Sequence, residues 1–403
     1  MKRKIILFQH RLRKFVIDIG ADLEHFEFIT ETNAKYADTK TFYKTRPDSF
    51  EKEINRIKIT PFQRLRRIIP LPNIRFRWEK SGDLLFTYGC LLFTNKPYCV
   101  WIENGAALHG YDPKILQNPF AKVLLIPFAL DPHLKHLIFM SKVAEKSFFS
   151  TLGLREGGWI QKRLKAKSTQ IYPKFPEPDK RITKSYHGEI RILFTGVYYI
   201  KGGRETLDAF RALRKEHANV FLTVLTPLHM LHTDDRKLLE ETEGVTLLDA
   251  TLQRKEMEHL YETHDIFLFP SYKDTFGLVL IEALSFGFPI IATDQYAVTE
   301  MVRDGYNGFV LDDHPFTDYD RDTFFMRGKY YDIRLFYQAL FAAQAKGKTE
   351  VLARFIEKSI CHYLDSPSLI QEHSRNSYEL YDRTFRESLI SKKWDDIFLD
   401  SLK

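Results

Sequence analysis

Cysteine is scarce in this chain: Cys90, Cys99 and Cys361 are the only three in 403 residues. An odd, sparse set with no CxxC spacing excludes a disulfide framework and a spaced zinc site, and makes a reducing compartment the default. Long apolar runs are lacking too. The most apolar stretch, 122–139, is broken by Asp131, His133 and Lys135. A spanning helix needs about 20 consecutive apolar residues. The opening MKRKIILFQH is basic but holds no apolar run of signal-peptide length. No segment is of low complexity, and no internal repeat is found. The expected location is cytoplasmic, with at most a peripheral contact at the inner face of a membrane.

The length fits two domains of about 150–200 residues each. Hydrophobic residues make up 44% and charged residues 28%, an ordinary globular composition. The net charge of +7 conceals an asymmetry. Residues 1–188 hold 34 Lys and Arg against 18 Asp and Glu, a net of +16; the remainder holds 26 against 35, a net of −9. The first half is therefore expected to face something anionic: nucleic acid, phospholipid headgroups or a phosphorylated glycan. A solvated basic surface is the plain alternative.

Short apolar runs alternate with amphipathic segments, which predicts an α/β chain with parallel sheets. In the first half, strands are expected at 5–8, 83–87, 98–103, 136–140 and 169–172, with a helix at 143–152 after Ser141. Residues 174–188, KFPEPDKRITKSYHG, carry proline and charge without hydrophobic periodicity and read as a linker. The second half alternates clearly. Strands are expected at 190–196, 220–226, 245–248, 265–269 and 289–293. Helices are expected at 205–215, 234–241, 255–263, 278–286, 329–346 and 349–363, and the chain ends in a helical, aromatic-rich stretch. Continuous apolar strands of four to seven residues suit a sheet covered on both faces.

The segment 270–308, PSYKDTFGLVLIEALSFGFPIIATDQYAVTEMVRDGYNG, carries the most chemistry. A strand ends at Phe269, and Gly277 opens a helix. Ligands bind beyond the carboxyl ends of such strands, and a helix start offers unpaired N–H groups to a pyrophosphate. Gly277 permits close backbone approach. Asp274 and Glu282 supply carboxylates able to bind a vicinal diol.

This segment resembles the donor site of the group 1, or family four, retaining glycosyltransferases. Pro270-Ser271, Asp274, Phe276-Gly277, Glu282-Ala283, Gly287-Phe288-Pro289, Glu300, Gly305 and Gly308 carry the match. Upstream, Leu193-Phe194-Thr195-Gly196 with Lys201-Gly202 is similar to the family's phosphate-binding loop. The resemblance implies a GT-B fold: two Rossmann-like domains, an interdomain cleft and a C-terminal helix crossing back. The implied domains are 1–173 for the acceptor, 189–372 for the donor, and 373–403 returning to the first domain. It further implies retention of configuration, no metal, and no cofactor beyond a donor that is a UDP- or GDP-linked sugar. Implied donor contacts are Gly196, Lys201, Gly202, Ala250, Thr251, Asp274, Phe276, Gly277, Leu278, Val279 and Glu282. Lys201 would meet the phosphates, backbone near Ala250 and Thr251 the base, Asp274 the sugar and Glu282 the ribose. No DxD-type carboxylate pair stands in a convincing metal-binding context; Asp234-Asp235 reads as helix capping.

Departures from the family pattern are specific. Asp274 stands where glutamate is usual, and Val197 where an arginine often follows the glycine. Arg204 is a candidate replacement, weighed against a surface role. Phe8-Gln9-His10-Arg11 replaces a glycine-rich loop. Glu103 falls where a cleft histidine is common, with a role in orienting or deprotonating the acceptor or in a structural network; His109 and His10 read as structural. Residues 54–80 mix Arg and Lys with apolar side chains and suit an anionic membrane face. The alternative is a long loop packed inward. The expected partners are thus a nucleotide sugar and a glycan or lipid-linked acceptor, in synthesis of surface polysaccharide, lipopolysaccharide or glycolipid. A degenerate, non-catalytic relative is the alternative. Nucleic-acid binding lacks any recognised module.

Overall fold

The computed structural model describes residues 2–8, 14–30, 61–312, 314–329 and 332–403. The expectations placed on Gln9, His10, Arg11 and residues 54–60 lie outside these. The strands in the first half are β1 (Arg3–Phe8), β2 (Phe26–Thr30), β3 (Ile74–Arg77), β4 (Leu84–Tyr88), β5 (Leu91–Thr94), β6 (Tyr98–Ile102), β7 (Leu134–Phe139) and β8 (Ser168–Gln170). Those in the second are β9 (Ile190–Thr195), β10 (Val220–Thr226), β11 (Val245–Asp249), β12 (Ile266–Phe269), β13 (Ile290–Thr293) and β14 (Gly308–Leu311).

Two six-stranded sheets form, ordered β2-β1-β4-β6-β7-β8 and β11-β10-β9-β12-β13-β14. Their pairings are all parallel. Strands β4, β6, β12 and β13 are buried along their whole length, as a sheet covered on both faces requires. In the second sheet the chain runs β9, β10, β11 to one side and then resumes at β12 on the other. The switch point between β9 and β12 leaves a crevice at their carboxyl ends.

The chain then returns. Helix Glu387–Asp400 sets Trp394 and Phe398 against the first sheet: Trp394 meets Trp101 and Phe86 edge-on at 5.2 and 5.4 Å, and Phe398 meets Phe26 at 5.8 Å. This is the arrangement the family resemblance implies. Burying aromatic side chains of this size supplies about 1.5–3 kcal/mol each, so the tail is part of the first domain's core. Segment 174–188 is also held down. Arg181 forms a two-bond pair with Asp382 at 2.8 and 2.7 Å, and buried Lys174 pairs with Asp22 at 2.6 Å.

Some elements were not expected. Helix Phe120–Ala129 contains Pro127, and helix Pro61–Ile68 precedes a two-stranded parallel ribbon of β3 and β5. All three cysteines are free. Among the described residues no helix is long and apolar enough to cross a membrane.

Candidate functional site

Two adjoining cavities lie between the sheets and share Phe15 and Leu278. The first, of about 310 Å³, is lined by Gly196, Lys201, Asp274, Phe276, Gly277, Leu278 and Val279 from the second domain, and by Tyr88 and Glu103 from the first. The second, of about 510 Å³, is lined by Ala250, Thr251, Tyr261 and Glu282, among others. Every residue expected at the donor site lines one or the other except Gly202. That glycine sits behind the site. Its φ is 73°, and a Cβ there would stand 2.5 Å from the Pro270 carbonyl oxygen. Its role is to let the lysine loop pack on β12.

Lys201 follows β9 and Asp274 follows β12, so the two loops meet at the switch point. Their side chains form an ion pair. Lys201 Nζ also lies 3.2 Å from Ser271 Oγ and 4.6 Å from the centre of the Phe269 ring. Asp274 Oδ1 accepts N–H bonds from Thr275, Phe276 and Gly277 at 2.7, 2.9 and 2.8 Å. Burial raises the carboxyl pKa, but Lys201 and these N–H groups outweigh it and hold Asp274 below its ordinary value. The aspartate thus shapes the loop as well as charging it. Gly277 then turns the chain at φ 83°, a left-handed conformation natural to glycine, and helix Leu278–Ser285 begins. Leu278 and Val279, whose N–H groups begin that helix and have no carbonyl within it to bond, line the cavity.

Glu282 is the one ionisable group in that helix, whose other residues are apolar except Ser285. Burial raises its pKa, while Tyr261 donates its hydroxyl to Oε2 at 2.6 Å. Tyr261 was not singled out in the sequence; its position in helix Arg254–Thr263, buried beside an acid, is the signal that finds it. The helix end carrying it is clamped by Lys184, whose buried ammonium donates to the Tyr261 and Glu262 carbonyls. Burial pushes Lys184 down to about 8. At the edge of the second cavity the Ala250 and Thr251 N–H groups are already spent, on Thr226 and Asp249 carbonyls at 3.1 and 2.7 Å. What they offer a ligand is therefore their carbonyl oxygens.

Glu103 stands at the end of β6, facing this loop from the other domain. It accepts the hydroxyls of Tyr88 and, across the cleft, Thr275. Glu300 makes a second crossing: its carboxylate accepts the Lys142 and Val143 N–H groups at 3.1 and 2.9 Å and the Tyr172 hydroxyl at 2.6 Å. It caps helix Lys142–Leu152 of the first domain together with Ser141, whose Oγ accepts the Ala144 N–H at 2.9 Å. His109 is buried, which pushes it down to about 4, and it lines neither cavity. Arg204 is also away from the cavities. It forms a two-bond pair with Asp235 at 3.0 and 2.7 Å and lies over Tyr199 and Phe341. Asp235 therefore binds an arginine rather than capping its helix. Glu24, His25 and Asp395 bring potential ligand atoms within 4.8 Å of one another, but at a separate surface cavity.

Residues 189–318 match the family model of group 1 glycosyl transferases. Over 193 residues the chain is 24% identical to the capsular polysaccharide biosynthesis glycosyltransferase CapM of Staphylococcus aureus, covering 46% of this chain and 47% of that one. It is 26% identical over 153 residues to a D-inositol 3-phosphate glycosyltransferase of Paenarthrobacter aurescens, covering 36% and 38%. The chain thus spans less than half the length of these curated relatives. Its fold is similar, at a TM-score of 0.55 and 13% identity, to HepE of Anabaena in complex with UDP and glucose, over 99% of this chain and 100% of that one. A glycosyltransferase of Rickettsia africae gives 0.57 at 13% identity, over 100% and 99%.

Proposed function

We propose that this chain, which carries a group 1 glycosyltransferase domain in a GT-B fold, transfers a sugar with retention of configuration from a nucleotide sugar. The acceptor is a glycan or a lipid-linked glycan, and the setting is synthesis of cell-surface polysaccharide, lipopolysaccharide or glycolipid at the cytoplasmic face. The observation that carries the reading is the convergence of Lys201, the start of helix Leu278–Ser285 and Glu103 on one cavity, with Glu282 in the cavity beside it. The relatives named for capsular polysaccharide synthesis and inositol phosphate glycosylation, and the fold neighbour holding UDP and glucose, support it.

The division of labour follows from the chemistry. The ribose and base occupy the larger cavity, with the ribose diol on Glu282 and the base edge against the Ala250 and Thr251 carbonyls. The pyrophosphate lies at the helix start, where N–H dipoles and the Lys201 ammonium stabilise the charge that grows as the glycosidic bond breaks. That cation and dipole set replaces a divalent metal. The sugar sits beside Asp274, and Glu103 orients the acceptor hydroxyl. Lys201 must first exchange part of its hold on Asp274 for phosphate.

The test is a thermal-shift screen against UDP-, GDP-, ADP- and CMP-sugars with a chelator present, repeated on Glu282→Ala. Ligand that binds only the folded state raises apparent stability by mass action. One nucleotide class is expected to stabilise the native protein and lose its effect in the variant. A folded protein that responds to none of them would move the non-catalytic reading ahead.

A further inference from the structure

Between Pro61 and Lys80 stand six cations, Arg64, Arg66, Arg67, Arg75, Arg77 and Lys80, and one acid, Glu79. The same region holds large apolar side chains out in solvent. Phe76 is 79% exposed, Trp78 67% and Phe93 44%. Phe76 faces Phe93 across the β3–β5 ribbon, with ring centres 5.4 Å apart, and Trp78 lies 5.6 Å from Phe93. One exposed apolar residue needs no explanation; a cluster of touching rings does. The local pattern is also telling. In β5, Leu91, Leu92 and Thr94 are buried and Phe93 alone is exposed. A position facing water would ordinarily be polar.

A second apolar lobe adjoins the first in the chain. Leu65, Ile68, Ile69 and Leu71, on and after helix Pro61–Ile68, are each at least half exposed. The Asn118 side chain bonds the Arg67 and Ile68 carbonyls, which brings the start of helix Phe120–Ala129 alongside. Phe120 there is 66% exposed. The cations are graded. Arg67 pairs with Asp112 and Arg77 with Glu79, whereas Arg64 and Lys80 are exposed.

We infer that this face docks on a lipid bilayer carrying anionic headgroups, with the aromatic rings at the acyl boundary and the cations at the phosphates. Charge complementarity selects this occupant: clustered Arg and Lys draw a protein to an anionic leaflet, Trp anchors at the headgroup level, and Phe enters the headgroup/acyl boundary. Long arginine stems can lie along apolar surface while their heads reach water or phosphate. The inference deepens the transferase reading by naming the surface through which a lipid-linked acceptor is approached, and rests on that reading for this purpose alone.

The test is sedimentation of the full chain with vesicles of phosphatidylcholine alone and of phosphatidylcholine with phosphatidylglycerol, neither containing acceptor. The protein is expected in the pellet with the anionic vesicles and in the supernatant with the neutral ones, with binding weakened by added salt. Phe76→Ser with Trp78→Ser is expected to weaken partition by about tenfold or more, and Arg64→Glu with Lys80→Glu to remove the preference for anionic lipid. Both variants should keep the native nucleotide-sugar thermal shift, which separates loss of docking from loss of the donor site. A native protein that stays in the supernatant with anionic vesicles overturns the inference. So does a Phe76→Ser, Trp78→Ser variant that sediments as the native protein does. Self-association of the native protein abolished by the same pair, without vesicle binding, would assign the face to a second copy of the chain instead.

Discussion

Lys201 and Asp274 are held together in a cavity where a lone charge would be costly, and each limits what the other can do. Removing the cation leaves a carboxylate with its N–H bonds but no counter-charge. Lys201→Met is expected to cost about 1–3 kcal/mol of stability at neutral pH and to lower turnover by about a hundredfold or more. The pH dependence has a definite sign. The folded Asp274 pKa lies below its unfolded value, so the stabilisation is present above the unfolded pKa, about 3.9. It is lost as pH falls through the folded value. Urea titrations should thus find the gap between native and variant full at pH 7 and narrowing below about pH 4. Glu282 behaves oppositely, its pKa raised by burial. A diol needs the ionised carboxylate, so donor affinity should weaken on acidification sooner than an ordinary glutamate would allow. Tyr261→Phe removes the hydroxyl that orients this carboxylate. Calorimetry should find donor affinity lower by about fivefold to tenfold, the worth of one such bond, with the fold intact.

At the scale of elements, the two domains hold each other through polar contacts at helix ends. Glu300, beyond β13, caps a helix of the first domain. Glu300→Ala should cost about 1–2 kcal/mol, as a lost charged cap does. The loss should appear in denaturant unfolding as easier separation of the domains. Lys184 offers another measurable sign. Its folded pKa is about 8, below the ordinary lysine value. Between there and the unfolded pKa of about 10.5 the unfolded chain binds more protons, so the stability of the native protein relative to Lys184→Met should rise with pH. The slope should be at most about 1.4 kcal/mol per unit.

The elements also explain what could be read from the chain. Residues 270–308 are legible as a candidate ligand site because strand end, loop, glycine and acid follow one another locally, whereas the donor contacts assigned there rest on the family resemblance. Helix Phe120–Ala129 was hidden by Pro127, which argues against a helix unless the preceding turn accommodates it. The β3–β5 ribbon pairs two four-residue strands with β4 between them in sequence, and such short runs carry little periodicity. The family resemblance places Gly202 among the donor contacts, yet its close approach is to Pro270. Arg204 could not be placed because its partner Asp235 lies on a different helix.

For the whole molecule, the central feature is a cleft that two domains must share. Glu103 and Thr275 meet only because the sheets face each other with their carboxyl ends toward one crevice, and no local pattern conveys that meeting. The opposite net charges of the two halves fit the proposed division, in which the acidic domain's Lys201 would hold the donor and the basic domain would turn toward an anionic acceptor or surface. The measurement that tests the central claim most directly is proton NMR of donor turnover with a stabilising nucleotide sugar and a chelator present. The expected result is nucleotide release with a new glycosidic linkage of the donor's own anomeric configuration, undiminished by the chelator and greatly slowed in Lys201→Met. An inverted linkage, or bound donor that is never turned over by any acceptor or by water, would contradict it.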